Sequence, residues 1–154
     1  MVIKTTRFGE ISISEESILN IPEGMLGFES CKHFVLLETQ PDSPFKWLQS
    51  VDEPHLAFMV INPLDFFPDY DIDLPDDDAD MLGLNCPMDA ALLTTVTLDP
   101  DEGRATTNLL GPVAINSQNL RAKQIVLQDE RYGTKHIIME KQRVESTIET
   151  VKAA

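Results

Sequence analysis

The spacing of apolar residues limits what this chain can fold into more than any other feature. Apolar residues recur at every second position or in short runs, of which the longest covers residues 56–61. A period of two is the repeat of a β-strand whose two faces differ, and no amphipathic helical pattern separates the runs. The sequence therefore predicts an all-β fold, a small antiparallel β-barrel or sandwich of about nine to ten short strands.

Proline, glycine and aspartate mark the turns between the runs. Pro100 and Gly103, for example, lie in a turn that joins two strands of one predicted hairpin. The segments with strand character are residues 2–6, 10–14, 18–21, 33–38, 45–51, 56–61, 70–74, 91–98, 104–109, 113–116 and 122–127.

Two segments have helical character instead. Residues 76–82 are predicted as one short helix with an aspartate cap, because acidic residues in a first turn interact favourably with the helix dipole. Near the end of the chain Val144, Ile148 and Val151 share one helical face. We therefore expect a single domain at residues 1–138, followed by a tail at 139–154 that is either a helix or a frayed end.

The net charge of −14 is concentrated in the middle of the chain. No lysine or arginine occurs between Trp47 and Glu102, and this stretch holds 14 of the 26 acidic residues, so the other 12 balance the 12 basic residues elsewhere. Such a surface repels phosphates, and binding to nucleic acid is not expected. A basic partner would be attracted. Negative charge also keeps proteins soluble, and charge alone does not separate these two interpretations.

Cysteine usage and hydropathy predict a cytoplasmic protein. Cys31 and Cys86 are far apart and form no Cys-x-x-Cys pair, which favours free thiols in a reducing compartment. The longest apolar run falls well short of the roughly 20 residues that span a bilayer. The polar N-terminus does not resemble a signal peptide, so neither membrane insertion nor secretion is expected.

One spacing imitates a calcium loop, but without its essential residues. Five aspartates occupy ligand positions of the loop: Asp69, Asp71, Asp73, Asp77 and Asp80. Leu74 replaces the required glycine, however, and Pro75 stands at the carbonyl-ligand position. A strand at 70–74 and the start of the helix explain the same aspartates. The three histidines lack metal-ligand spacing and no nucleophile motif is present, so no metal, cofactor or catalytic residue is predicted.

Aromatic residues supply the candidate contacts for a protein partner. Trp47 is the only tryptophan, and it could anchor either the core or an interface. Residues 65–70 interleave aromatic and acidic side chains. Phe66 and Phe67 cannot both point inward in an extended segment, so we expect one of them to be exposed.

Several motifs, in order along residues 2–135, resemble the FliW family. They are IPEGMLGFE at 21–29, FKWLQS at 45–50, PHLAF at 54–58, NP at 62–63, NLLGPVAIN at 108–116, AKQ at 122–124 and Tyr132. The tail after His136 is longer than the family pattern requires.

This resemblance implies a β-barrel-like, non-enzymatic regulator of flagellar assembly. FliW-like proteins bind CsrA, a basic dimeric RNA-binding protein that represses translation of flagellin messenger RNA, and they also bind flagellin. Free flagellin occupies the factor, and its export releases the factor to restrain CsrA. A negative surface docked beside the RNA site of CsrA would repel phosphates.

The contact residues expected from this resemblance combine the acidic aromatic segment with Trp47 and two asparagines. They are Trp47, Asp65, Phe66, Phe67, Asp69, Tyr70, Asp71, Asp73, Asn108 and Asn116. The two asparagines could instead form turns by bonding their own backbone. Two other functions remain open: a flagellin export chaperone that does not bind CsrA, and a carboxylate- or metal-dependent β-barrel enzyme.

Overall fold

The computed structural model describes residues 1–140. The C-terminal helix suggested by Val144, Ile148 and Val151 lies outside the described residues. The division into a domain at 1–138 and a tail at 139–154 stays a prediction, although a strand runs across its boundary.

Residues 1–140 are mostly β-structure with one α-helix, which confirms the predicted fold class. The strands are β1 (Val2–Thr5), β2 (Gly9–Ser12), β3 (Ile18–Asn20), β4 (His33–Leu37), β5 (Lys46–Ser50), β6 (Ala57–Ile61), β7 (Ala91–Asp99), β8 (Arg104–Thr107), β9 (Val113–Asn116), β10 (Arg121–Gln124) and β11 (His136–Glu140). The helix α1 spans Asp76–Leu82, as predicted. Single 3-10 turns lie at Glu15–Ser17, Pro63–Asp65 and Pro87–Asp89.

Seven of these strands close into a barrel. Their order is β7-β6-β5-β4-β3-β10-β9, and β9 pairs back onto β7. Neighbours are antiparallel except β10 and β3, which run parallel and share one registered pair. The long strand β7 pairs with β9 through its first residues and with β8 through its last four. It therefore leaves the barrel partway, and β8 and β11 extend the sheet from it.

The side chains on the two faces of β5 and β6 pack into two separate hydrophobic cores. Inside the barrel, Phe34, Leu48 and Val60 are completely buried. On the opposite face of β5 and β6, a second cluster contains Trp47 and Met59. Burying both faces of these strands explains why their sequences are nearly continuous apolar runs rather than strict alternations.

The hairpin of β1 and β2 covers the second cluster. Phe8 meets Trp47 edge to face, with ring centroids 6.0 Å apart, and the Arg7 guanidinium lies 4.2 Å above the indole. The backbone N–H of Thr6 donates to the carbonyl oxygen of Pro54 (2.9 Å). Trp47 is only 6% exposed, so its position is that of a core anchor.

Two strand predictions were wrong. Residues 70–74 form no strand, and β11 was missed. A register shift between Ile137 and Met139 breaks the period of two in β11, so its sequence did not show the alternation of a paired strand. The described residues contain eleven strands, slightly more than expected.

Candidate protein-binding surface

The acidic residues of the middle of the chain come together on one connection between strands. We call residues 65–80 the acidic segment; it runs from β6 through the turn Pro63–Asp65 into helix α1. Seven of its carboxylates are exposed and have no hydrogen bond or ion pair with any side chain or backbone group of residues 1–140. They are Asp65, Asp69, Asp71, Asp73, Asp76, Asp77 and Asp80.

Asp78 is the exception among these acids. Its carboxylate lies 2.6 Å from Nζ of Lys123 on β10, and Glu23 approaches the same ammonium at 3.3 Å. The hydrogen bond to Asp78, ahead of a smaller one to Glu23, raises the pKa of Lys123 above its usual value despite partial desolvation. Lys123 thus links α1 to the barrel, and its positive charge is balanced by these two carboxylates.

Two tyrosines hold the acidic segment against the barrel where a strand was expected. The buried hydroxyl of Tyr70 donates to the carbonyl oxygen of Leu109 (2.6 Å). The hydroxyl of Tyr132 accepts from the N–H of Asp71 (3.0 Å) and donates to its carbonyl oxygen (3.1 Å). Burial of Tyr70, with a lesser contribution from Tyr132, raises the pKa of its phenol. The side chains alternate between exposed and buried here, but tyrosine hydroxyls replace the neighbouring strand, which explains the wrong prediction.

Phe66 and Phe67 also differ from expectation. The backbone turns at Pro63–Asp65 instead of continuing extended, and the N–H of Phe67 bonds to the carbonyl oxygen of Pro63 (2.8 Å). Both rings can therefore pack. Phe66 lies 6.2 Å from Phe45, and Phe67 lies 5.8 Å from the ring of His136. Both are half-buried, so neither is an exposed anchor.

Helix α1 begins and ends in ways that the sequence showed only in part. Its N-cap is Pro75, without a side-chain hydrogen bond, rather than an aspartate, although the acidic first turn is present as predicted. Its C-cap is Gly83, which has a left-handed φ of 74°. The carbonyl oxygen of Leu82 accepts from the side-chain amides of Asn116 and Asn119, both at 2.9 Å.

Asn108 and Asn116 act within the fold. The side-chain oxygen of Asn108 accepts from the N–H groups of Leu110 and Gly111 (3.0 and 2.9 Å). Asn116 is buried and, besides its bond to Leu82, accepts from the N–H of Gln118 (2.9 Å). These are the turn-forming roles that were the alternative to partner contact.

An apolar groove opens beside the acidic segment, and the sequence did not reveal it. Its floor is formed by barrel residues that include Leu19, Leu93 and Ile115, and its volume is about 960 Å³. One wall is residues 70–74, and the other is residues 86, 88 and 90–92. Met88, which is 90% exposed, and Leu64, which is 44% exposed, lie at its rim. Their isolated positions in turns gave no periodic pattern by which to find them.

Other kinds of site receive little support from the described residues. Within residues 1–140, no three histidine, cysteine, aspartate or glutamate side chains converge as cation ligands. No helix in this part of the chain is long and apolar enough to cross a membrane. Cys31 is buried and Cys86 is exposed, and both are free thiols.

Comparison with known proteins gives the chain its family. The family model described as FliW protein matches residues 2–138. The flagellar assembly factor FliW of Geobacter sulfurreducens is 46% identical over 136 residues, 88% of this chain and 85% of that protein. The one from Bacillus subtilis is 41% identical over 138 residues, 90% of this chain and 96% of that protein.

A solved structure agrees with these sequence matches. The crystal structure of a flagellar assembly factor FliW has a TM-score of 0.82 and 37% identity, and covers 92% of this chain and 99% of that one. In this chain, a single fold contains the closed barrel, the helix at Asp76–Leu82 and the sequence motifs from residue 21 to Tyr132. The chain belongs to the FliW family.

Proposed function

We propose that this chain is a cytoplasmic, non-enzymatic flagellar assembly factor that binds and antagonises CsrA and also binds flagellin. Its membership of a family whose relatives are named flagellar assembly factors supports this proposal. The observation that carries the partner assignment is the acidic segment, whose exposed carboxylates form no ion pair or hydrogen bond within residues 1–140.

The charge of this segment suits a basic RNA-binding protein. One exposed charge contributes little to affinity, but several on one surface sum to a field that speeds association with a positive partner. Once docked, the remaining carboxylates would stand near the RNA site and repel phosphates over about 8 Å at physiological salt. Repulsion of this kind antagonises RNA binding without occupying the RNA groove.

The expected contact residues divide by exposure under this proposal. Asp65, Asp69, Asp71 and Asp73 are exposed and would face the partner. The others support the surface from beneath or within the fold: Trp47, Phe66, Phe67, Tyr70, Asn108 and Asn116 are buried or half-buried. We infer that these six residues shape the surface rather than anchor the partner.

The second candidate function, a flagellin export chaperone without CsrA binding, is favoured by the apolar groove. A chaperone has to cover apolar segments of its client, and the groove offers an apolar floor for one such segment.

Genetics in the native bacterium separates the two candidates. Deleting the gene should lower flagellin and motility, and deleting the CsrA gene as well should restore flagellin synthesis, because relief of a repressor is unnecessary once the repressor is gone. Reintroducing the wild-type gene into the single mutant is the control. If the double mutant stays as poor in flagellin as the single mutant, CsrA antagonism is wrong and the chaperone function gains support.

A further inference from the structure

We propose that the apolar groove binds an extended, apolar peptide segment that carries lysine or arginine beside its apolar residues. This deepens the proposed function, because it assigns a second recognition site and states which chemistry of a protein partner it takes. Three observations lead to it: the apolar floor, the unpaired backbone of one wall, and the charge of that wall.

The groove has an apolar rim that is exposed to solvent and an apolar floor whose core residues are only 4–7% exposed. Leu19, Leu93 and Ile115 line it from the barrel, and Leu64 and Met88 flank its opening. A large, flexible methionine exposed at a rim adapts to differently shaped apolar side chains. An apolar side chain that enters the groove would leave water for an apolar lining.

The backbone of one wall is available for pairing. Residues 72–74 form no backbone hydrogen bond with any group in residues 1–140, although Asp71 and Tyr70 on one side and Pro75 on the other are bonded. The tyrosine bonds to Leu109 and Asp71 hold this wall in place. A peptide can satisfy such N–H and C=O groups by adding alongside them as a strand does, whereas a lipid chain cannot.

The charge of the same wall selects among peptides. Asp71 and Asp73 line the groove, and their carboxylates form no ion pair within the described residues. Arg131 interacts electrostatically with Asp71, but its guanidinium is bonded to Asp129 (2.7 Å). The one basic residue that lines it, Lys46, lies 3.2 Å from Glu38 and is neutralised there. The groove therefore complements an apolar segment with basic neighbours and disfavours an acidic peptide or a fatty acid.

The test uses the full chain and two short synthetic peptides, one of alternating leucine and lysine and one of alternating leucine and glutamate. The leucine–lysine peptide should bind at low salt and the leucine–glutamate peptide should not. Met88→Ser, which adds no charge, should weaken binding about tenfold through loss of an apolar contact. The double variant Asp71→Asn/Asp73→Asn should weaken it by a similar factor, about tenfold, through loss of two charge pairs.

Matched controls should leave peptide binding unchanged. Val2→Ser makes the same kind of change at an apolar side chain that is 62% exposed and does not line the groove, and Asp101→Asn/Glu102→Gln removes two exposed acids from another turn. A measurement without substitutions uses Cys86, an exposed thiol that lines the groove. The bound leucine–lysine peptide should slow its alkylation.

Three results would overturn the groove assignment. They are no binding of either peptide, equal binding of both peptides, and groove variants that bind like the controls with Cys86 unprotected. The proposed function is tested apart from this, by capture of purified CsrA and purified flagellin on the immobilised chain. Peptide binding without either capture would leave the groove assignment standing and refute the proposed function, and capture without peptide binding would do the reverse.

Discussion

Residues 108–124 and the acidic segment pack against each other, yet their polar side chains do opposite things. Asn108, Asn116 and Asn119 bond backbone groups of this chain, and two of them converge on the carbonyl oxygen of Leu82. The exposed carboxylates of the acidic segment bond nothing within residues 1–140. Short polar side chains thus stabilise the fold in one region and remain available to a partner in the other. The presence of a backbone partner within the fold separates these roles, since Asn119 is exposed and still bonds the carbonyl oxygen of Leu82.

The largest expected effect on the free energy of unfolding lies in residues 108–124. Asn116→Ala should lower the free energy of unfolding by about 2 kcal/mol, because it removes two hydrogen bonds at a buried site and leaves the N–H of Gln118 without its acceptor. Urea unfolding measures this change. Asn85→Ala is the control, since Asn85 is exposed. A loss at Asn116 no larger than at Asn85 would mean that Asn116 is not structural, and would return it to the candidate contacts.

A smaller effect is expected where the two regions are joined. Tyr70→Phe removes the buried hydrogen bond to the carbonyl oxygen of Leu109 and should cost about 1–2 kcal/mol of unfolding free energy. Tyr132→Phe, at a more exposed hydroxyl, should cost less than about 1 kcal/mol. The reverse order of the two variants in thermal or urea unfolding would contradict the view that Tyr70 is the main tether of the acidic segment.

The Lys123 ion pair should contribute still less to the free energy of unfolding, and its contribution should depend on pH. Lys123→Met should cost roughly 1 kcal/mol near neutral pH, because the pair with Asp78 is only partly buried. The fold raises the pKa of Lys123, so this contribution is complete below the usual value of 10.5 and declines as pH rises above it.

Unfolding of wild type and variant in urea at pH 7 and above pH 10.5 checks this pH dependence. Lys4→Met, at an exposed lysine of β1, is the control. An unchanged difference between wild type and Lys123→Met at the two pH values would show that the loss comes from packing rather than from charge.

The sequence predicted the barrel strands well because alternation and short apolar runs are both local properties of each strand. Helix α1 was predicted for the same reason, from its acidic first turn. The failures have a common cause, since both depend on distant partners. Residues 70–74 alternate like a strand, but no strand lies beside them: the hydroxyl of Tyr132 bonds Asp71, and the hydroxyl of Tyr70 bonds Leu109. In β11 the register shift hides the pairing with β8.

The sequence predicted the negative charge of the candidate surface but not its shape. A stretch without lysine or arginine is visible in the sequence, so the exposed aspartates could be anticipated. Whether Phe66 and Phe67 were exposed depended on the turn at Pro63–Asp65 and on Phe45 and His136, which are remote in sequence. The groove is assembled from turns and from several strands, and only the folded chain brings them together.

The smallest expected effect on stability belongs to the acidic segment. Replacing Asp69, Asp71 and Asp73 together by Asn should change the free energy of unfolding by no more than about 0.5 kcal/mol, because these side chains are exposed and form no hydrogen bond or ion pair within residues 1–140. Urea unfolding measures it. A loss as large as that of Asn116→Ala would show that the two regions do not differ in the way described.

The kinetics of binding to purified CsrA test the central claim, that the acidic segment is a partner surface. The same triple Asn variant is compared with Glu10→Gln/Glu15→Gln/Glu16→Gln, which removes three exposed charges elsewhere. At low and physiological salt, the Asn variant should associate more slowly, with a flatter salt dependence and nearly unchanged dissociation, while the Gln variant stays close to wild type. Equal association rates for the two variants would show that the acidic segment does not face CsrA and that its charge serves solubility alone.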